Sequence, residues 1–207
     1  MSDAPERDPA IGLIELSSIA RGVTVADAMV KTAPVGSLYA GTVHPGKFLV
    51  LVSGDTASVE EAMDAGNAVA GSLALDTILL ADIDPGVVSA LTEPAVGADL
   101  GDEAVGIVET STVATLLGAA DAGAKAARVV VAGIRLADGL GGKAYVVFAG
   151  EVAEVEAALA AAVTGPEEAN LLVEWQLIPL IAAEVVSNLA ADVRFGPRLT
   201  SRSAERG

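Results

Sequence analysis

The 207-residue chain contains no cysteine and one histidine, and aromatic residues make up only 3% of it. The absence of cysteine excludes disulfides, thiolate zinc sites, Cys-ligated iron–sulfur clusters and thiol catalysis. No run approaches the length of about 18 apolar residues that a membrane span needs, and the polar residues 1–9 do not resemble a secretory signal. We therefore expect a cytoplasmic protein that has no membrane partner.

Positive charge is also scarce, because 12 basic residues face 28 acidic ones and give a net charge of −16. Such a chain repels phosphate backbones and anionic lipid surfaces, so nucleic acid is not an expected partner. The exception is the segment 194–207, which carries +3 and leaves −19 for residues 1–193. We predict a solvated basic C-terminal tail, with a docking peptide as the alternative.

Small apolar residues are abundant, since 52% of the chain is hydrophobic and 41 residues are alanine. This composition is typical of a globular protein with closely packed helices, and the length suits one or two domains. An internal repeat indicates two domains and not one. Residues 10–33, AIGLIELSSIARGVTVADAMVKTA, recur as residues 104–127, AVGIVETSTVATLLGAADAGAKAA, at an offset of 94.

The repeat continues through the rest of each copy. The offset becomes 96 after a glycine-rich loop that is two residues longer in the second copy, and we expect it to return to 94 at the last strand. The sequence therefore predicts two domains, residues 10–97 and 98–193, which are joined by a linker with Pro, Gly and four acidic residues.

Each copy alternates strand and helix patterns. In the first copy we predict strands at 11–16, 35–43, 47–53 and 77–83, and helices that begin after Ser17 or Ser18, at Asp55 or Thr56, and at Pro85. The order β-α-β-β-α-β predicts an α/β (α+β) fold of two tandem ferredoxin-like domains, with helices on one face of each antiparallel sheet. The predicted core-facing positions of the first helix are Ile19, Val23, Ala26, Val30 and Ala33, and those of its counterpart are Val113, Leu117, Ala120, Ala124 and Ala127.

One chain alone offers no catalytic constellation. Glu15 and Glu109 are repeat equivalents, so they lie in different domains and are expected to have structural roles at strand ends. The glycine-rich residues 139–144 do not form a P-loop, because Ala follows the Lys and a strand comes next. His44 has no second His or Cys with which to bind a metal within one chain.

The two repeated segments, each followed by a GK-led strand and a GD- or GE-led helix, resemble the halves of a tandem-domain bacterial microcompartment shell protein over about 160 residues. The segment 42–48, TVHPGKF, is most similar to the class found in propanediol-utilisation shells. Members of that class hold an iron–sulfur cluster through a Cys at the position of His44. Because this chain has no Cys, the resemblance does not carry that cluster over.

The resemblance implies a homotrimer whose six domains form a flat pseudohexameric tile around a pore. Such tiles join other shell proteins edge to edge in the cytoplasm and enclose enzymes, which are possible partners. It places Lys31 and Lys125 at the tile edge, and it implies a pore lined by Thr42, Val43, His44, Pro45, Gly46, Asp138, Gly139, Leu140 and Gly141.

The pore has two expected roles, and the function has one alternative. Three copies of His44 on the trimer axis could bind zinc, copper or nickel, whereas plain lining or gating of the pore for metabolites requires no cofactor. We expect no enzymatic activity. The alternative function is a duplicated ferredoxin-like regulatory protein that binds a small molecule between subunits.

Overall fold

The structure is a computed structural model that describes residues 10–92, 100 and 103–190, the last four of these by their backbone alone. The first domain contains β1 (Ala10–Leu16), α1 (Ile19–Thr32), β2 (Ser37–Val43), β3 (Lys47–Gly54), α2 (Thr56–Ala70), β4 (Ala74–Leu80) and α3 (Pro85–Thr92). The second contains β5 (Ala104–Thr110), α4 (Val113–Ala126), β6 (Val130–Leu136), β7 (Ala144–Gly150), α5 (Val152–Glu168), β8 (Leu172–Ile178) and α6 (Ala183–Ala190). The predicted fold class and element order are confirmed.

Each domain has one four-stranded antiparallel sheet, with the order β2-β3-β1-β4 in the first and β6-β7-β5-β8 in the second. The helices α1 and α2 lie against the same face of their sheet, because the side chain of Met63 packs over Gly12 and that of Met29 lies near Gly66. Glycine is required at these two positions, since a Cβ would meet Met63 at 2.5 Å and Ile14 at 2.7 Å, respectively.

Local signals in the sequence set the helix starts. Ser18 caps α1 by accepting a hydrogen bond from the Arg21 amide, and Asp55 caps α2 by accepting one from the Ser58 amide. Both residues are good N-caps because their short side chains satisfy amides that the helix leaves free. Pro85 opens α3 as predicted.

Two boundary predictions are wrong. The last strand of the first domain runs over Ala74–Leu80, three residues before the predicted 77–83, because its pairing with β1 ends where Leu80 meets Ile11, near the start of β1. The repeat offset there is 98 and not 94: Ile11 pairs with Leu80, and its equivalent Val105 pairs with Ile178. The difference arises because α5 has 17 residues and α2 has 15, which adds two to the offset of 96 that the longer loop had already set.

The predicted core face of α1 is also wrong in part. Ile19, Val23 and Val30 are 46%, 58% and 42% exposed, whereas the helix buries Gly22, Val25, Ala26, Met29 and the following Ala33. In the second domain Val113 and Leu117, the equivalents of Ile19 and Val23, are fully buried. They are buried because α4 packs against β4 of the first domain as well as against its own sheet. The stripe therefore marks a surface between domains and not the core of one domain.

One of the three hydrophobic clusters in the described part of the chain spans the two domains. This cluster joins Ile11 and Leu13 of the first sheet to α4 and β7 of the second domain. The predicted boundary between residues 97 and 98, most of the linker and the tail 194–207 lie outside the described residues.

Candidate functional site

The two predicted pore loops meet. His44, in the turn after β2, places its Nδ1 atom 2.7 Å from Oδ1 of Asp138, in the loop after β6. Because an ionised carboxylate only accepts hydrogen bonds, this contact selects, for a neutral ring, the tautomer with its proton on Nδ1 and its lone pair on Nε2. Both side chains are exposed, at 72% and 76%. The pair therefore lies on an open surface of the chain.

The backbones of the two loops also lie close together. Gly142 has a φ of 88°, and a Cβ at this position would meet Cδ of Pro45 at 2.9 Å. Lys47 binds the Gly142 carbonyl oxygen through Nζ at 3.3 Å. Two of the predicted pore residues, Val43 and Leu140, are half-buried. The other seven are exposed: Thr42, His44, Pro45, Gly46, Asp138, Gly139 and Gly141.

A buried ion pair lies behind these loops. Glu15 at the end of β1 is fully buried, and its Oε1 atom accepts a hydrogen bond from Lys47 Nζ at 2.5 Å. Its other oxygen, Oε2, accepts from the backbone amide of Val113, the first residue of α4, at 2.7 Å. Lys47 also reaches the Ser111 carbonyl oxygen at 3.4 Å. The ion pair thus links the first domain to the start of a helix in the second.

A second carboxylate of the first domain caps the same helix. Asp76 in β4 accepts hydrogen bonds from the Thr115 amide at 3.0 Å, the Thr115 hydroxyl at 2.7 Å and the Thr112 hydroxyl at 2.5 Å. The N-terminus of a helix carries partial positive charge and free amides, so two carboxylates stabilise it. We name the contact of Glu15 and Asp76 with the first turn of α4 the carboxylate cap.

The far side of the junction holds Lys125. Its Nζ atom donates to the Asp82 carbonyl oxygen and, at 2.7 Å, to Oδ2 of Asp121, whose Oδ1 accepts from the Asp84 amide at 2.8 Å. The equivalent Lys31 forms only an ion pair with Asp27, at 2.6 Å, on an exposed part of α1. Lys125 therefore belongs to the contact between domains, and the tile-edge role of both lysines stays a prediction.

The repeat equivalents of the residues at the contact between the domains are exposed. Glu109 and Lys143, the equivalents of Glu15 and Lys47, form the same ion pair, but their side chains are 30% and 47% exposed against 0% and 18%. The strand β6 packs against α3 of the first domain. Its equivalent, β2, exposes Leu38 and Tyr39 at 38% and 66%.

Sequence reasoning missed Asp76 and Asp121 at this junction. Asp76 stands opposite Glu15 in the sheet just as Glu174 stands opposite Glu109, an equivalence that shows only when the last strands are aligned correctly. The assumed offset of 94 at the last strand paired the wrong residues and hid this equivalence.

None of the helices in the described part of the chain combines the length and apolar character needed to cross a bilayer. No three His, Cys, Asp or Glu side chains of residues 10–92, 100 and 103–190 converge within the chain on a metal-sized site.

Comparison with known proteins identifies the repeat. The BMC domain family model matches residues 10–81 and again residues 104–181. The bacterial microcompartment shell protein PduT of Citrobacter freundii is 41% identical over 172 residues, which cover 82% of this chain and 91% of PduT.

Solved structures agree with this match. A microcompartments protein from Desulfitobacterium hafniense DCB is 40% identical, with a TM-score of 0.74 over 85% of this chain and 97% of that one. The fused permuted hexameric shell protein MSM0275 from the RMM microcompartment shares the fold, with a TM-score of 0.54 at 21% identity over 75% of this chain and 83% of that one.

Proposed function

The chain belongs to the BMC domain family of bacterial microcompartment shell proteins, and we propose that three copies of it close a flat ring of six domains. Its function is structural: it builds the protein shell that surrounds a microcompartment in the bacterial cytoplasm. The microcompartment names of its relatives favour this role over the effector-binding regulator considered from the sequence.

One observation supports the ring. Two surfaces meet at the junction between the domains, and the chain exposes a second copy of each: one on the second domain and the other on the first. The second domain leaves open the surface around Glu109 and Lys143 that the first domain uses around Glu15 and Lys47. The first domain leaves open α1 and β2, whose equivalents α4 and β6 are covered. Contacts between unlike surfaces of identical chains repeat head to tail and close into a ring when the rotation permits.

The loop contact supports a pore on the ring axis. Points related by a sixth of a turn lie as far from each other as from the axis. His44 and Asp138 are repeat equivalents whose side chains touch, so in a six-domain ring both lie within roughly 10 Å of the axis, about two side-chain lengths plus a hydrogen bond. The two loop types alternate around the opening and make it threefold.

The contact with Asp138 favours a second role for the pore, in which three His44 side chains hold a divalent metal ion. A histidine that donates from Nδ1 to a carboxylate has its Nε2 lone pair fixed for a metal, an arrangement common around metal centres. Three such nitrogens provide an open coordination set for zinc, copper or nickel. A Cys-ligated iron–sulfur cluster does not fit, because position 44 is His and the chain has no Cys.

The surroundings of the shell complete the proposal. We propose that the ring joins other shell proteins edge to edge, with Lys31 and Lys125 near those edges, that enclosed enzymes lie on one side of it, and that it catalyses no reaction itself. Relatives named as shell proteins support this assignment.

Electron microscopy of concentrated, negatively stained protein tests the proposal. We expect flat sheets with a hexagonal repeat, or discrete rings of the same outline at lower concentration. A closed particle that forms no sheets with any partner shell protein would favour the regulatory alternative.

A further inference from the structure

We propose that Glu109 and Glu174 form a docking site for the first turn of α1 from a second copy of this chain. The inference deepens the proposed ring and rests on it, because it names the residues through which one chain recognises the next. In this proposal, Glu109 and Glu174 contact α1 of the next chain in the way that the carboxylate cap contacts α4 within one chain.

The template is complete within the chain. Glu15 accepts a hydrogen bond from the first amide of α4, that of Val113, and Asp76 accepts one from the third, that of Thr115. Glu15 and Asp76 lie opposite each other on β1 and β4. Two carboxylates on neighbouring strands thus meet a helix whose own cap residue, Thr112, makes no capping hydrogen bond through its side chain.

The second domain repeats the two carboxylates without a helix to cap. Glu109 and Glu174 lie opposite each other on β5 and β8, in the same register. Even the local hydrogen bond is repeated: Asp76 accepts from the following amide at 2.8 Å, and Glu174 does so at 2.9 Å. Glu109 is 30% exposed and Glu174 is exposed, so both can accept a further donor.

The helix α1 repeats the other half of the template. Ile19 and Arg21 supply the first and third amides of α1, as Val113 and Thr115 do for α4. The first turn of α1 contains no acidic residue, and its cap is a 3.3 Å hydrogen bond from the Arg21 amide to Ser18 Oγ. Ile19 is 46% exposed where Val113 is fully buried. The Ile19 amide has no partner among the described residues, and only the long hydrogen bond to Ser18 holds the Arg21 amide, so the positive end of the helix faces solvent.

A second contact of the template fits the same partner. Asp121 accepts from the Asp84 amide, and Lys125 donates to the Asp82 carbonyl oxygen. The equivalent Asp27 and Lys31 are exposed on α1, and the equivalent backbone groups belong to Ala182 and Leu180, both exposed. The surfaces match at both ends of the contact, so a second copy of the chain is the partner that the chemistry selects.

Paired cysteines test the docking, because the natural chain has no Cys. A Cβ at Gly118 would lie 2.7 Å from Cδ1 of Ile78, and the equivalent positions are Thr24 and Gln176. We expect Thr24→Cys with Gln176→Cys to give covalent dimers and trimers on mild oxidation. Gly118→Cys with Ile78→Cys is the matched control and should cross-link within one chain. Each single variant should give no ladder.

The carboxylates are then tested in the cross-linking variant. We expect Glu109→Gln with Glu174→Gln to slow the formation of the ladder at least tenfold at equal protein concentration, while the melting temperature of the dissociated chain stays unchanged. An undiminished rate, or a trimeric particle that never cross-links at these positions, would overturn the docking site and leave the ring standing. A chain that remains monomeric without any substitution would overturn the ring itself.

Discussion

Glu15 and Glu109 offer a matched pair of substitutions, because the same ion pair is buried in one domain and open in the other. Replacing Glu15 by Gln keeps the volume of the side chain but removes the charge that neutralises Lys47, which is only 18% exposed. Breaking a buried ion pair on one side costs about 3–5 kcal/mol, and the isosteric change favours the lower figure. For a chain of this size, a loss of about 3 kcal/mol lowers the melting temperature by roughly 6–12 °C.

Glu109→Gln should act differently. In a single chain its pair with Lys143 is 30% and 47% exposed, so the loss in the free energy of unfolding is about 0–1 kcal/mol. In the proposed ring we expect the pair to be as buried as that of Glu15, so that a loss of about 3 kcal/mol weakens each contact between chains by roughly a hundredfold.

Two measurements separate these effects. Chemical denaturation should show a lower free energy of unfolding for Glu15→Gln at every protein concentration. Dilution followed by mass photometry should show dissociation for Glu109→Gln at concentrations where Glu15→Gln remains assembled. The reasoning is refuted if Glu15→Gln costs less than about 1 kcal/mol, or if Glu109→Gln dissociates no more readily than the unsubstituted protein.

Four further predictions concern single sites. Gly142→Ala should destabilise the fold by about 1–3 kcal/mol in denaturant titrations, because φ is 88° and the new Cβ meets the first-domain loop at 2.9 Å; Gly139→Ala, where nothing lies within 4 Å, separates backbone strain from this clash. His44→Ala should abolish any zinc, copper or nickel that elemental analysis finds in tag-free trimers, and equal metal in both proteins would remove the metal role. Lys31→Ala with Lys125→Ala should leave trimers intact by mass photometry but reduce sheet formation in electron micrographs, and unchanged sheets would contradict the tile-edge role. Hydrogen bonds from the Ser58 side chain and amide lower the pKa of Asp55 below its ordinary value of 3.8. The ionised carboxylate therefore stabilises the fold above pH 3.8, and this stabilisation is lost as the pH falls through the lowered pKa. In melting experiments at decreasing pH, the melting temperature of Asp55→Asn should fall less than that of the unsubstituted protein.

Local patterns in the sequence predicted the elements well, because a helix start depends on residues near it. The sequence offered Ser17 or Ser18 as the cap of α1 and Asp55 or Thr56 as the start of α2, and Ser18 and Asp55 accept the capping hydrogen bonds. The turn at His44 and the glycine-rich loop at Asp138 were also visible, and their common surface followed from the family resemblance and the repeat.

The contacts between the domains could not be predicted in the same way. The apolar stripe of Ile19 and Val23 has the period of a core face, but only the packing of α4 on β4 shows that this face meets another domain. Asp76 is an ordinary strand residue in the sequence. Its role as a cap depends on a helix start 36 residues later in the chain, and no local pattern reports a contact of that kind.

Electron cryomicroscopy of the purified particle tests the six-domain ring most directly. We predict a threefold particle of about 62 kDa, three times the chain mass of 20.6 kDa. Its map should show six domains in a plane, α1 of each chain against β8 of the next, and the loops of His44 and Asp138 within roughly 10 Å of the axis. A particle with another number of chains, or one in which these loops lie at the outer rim, would contradict the ring.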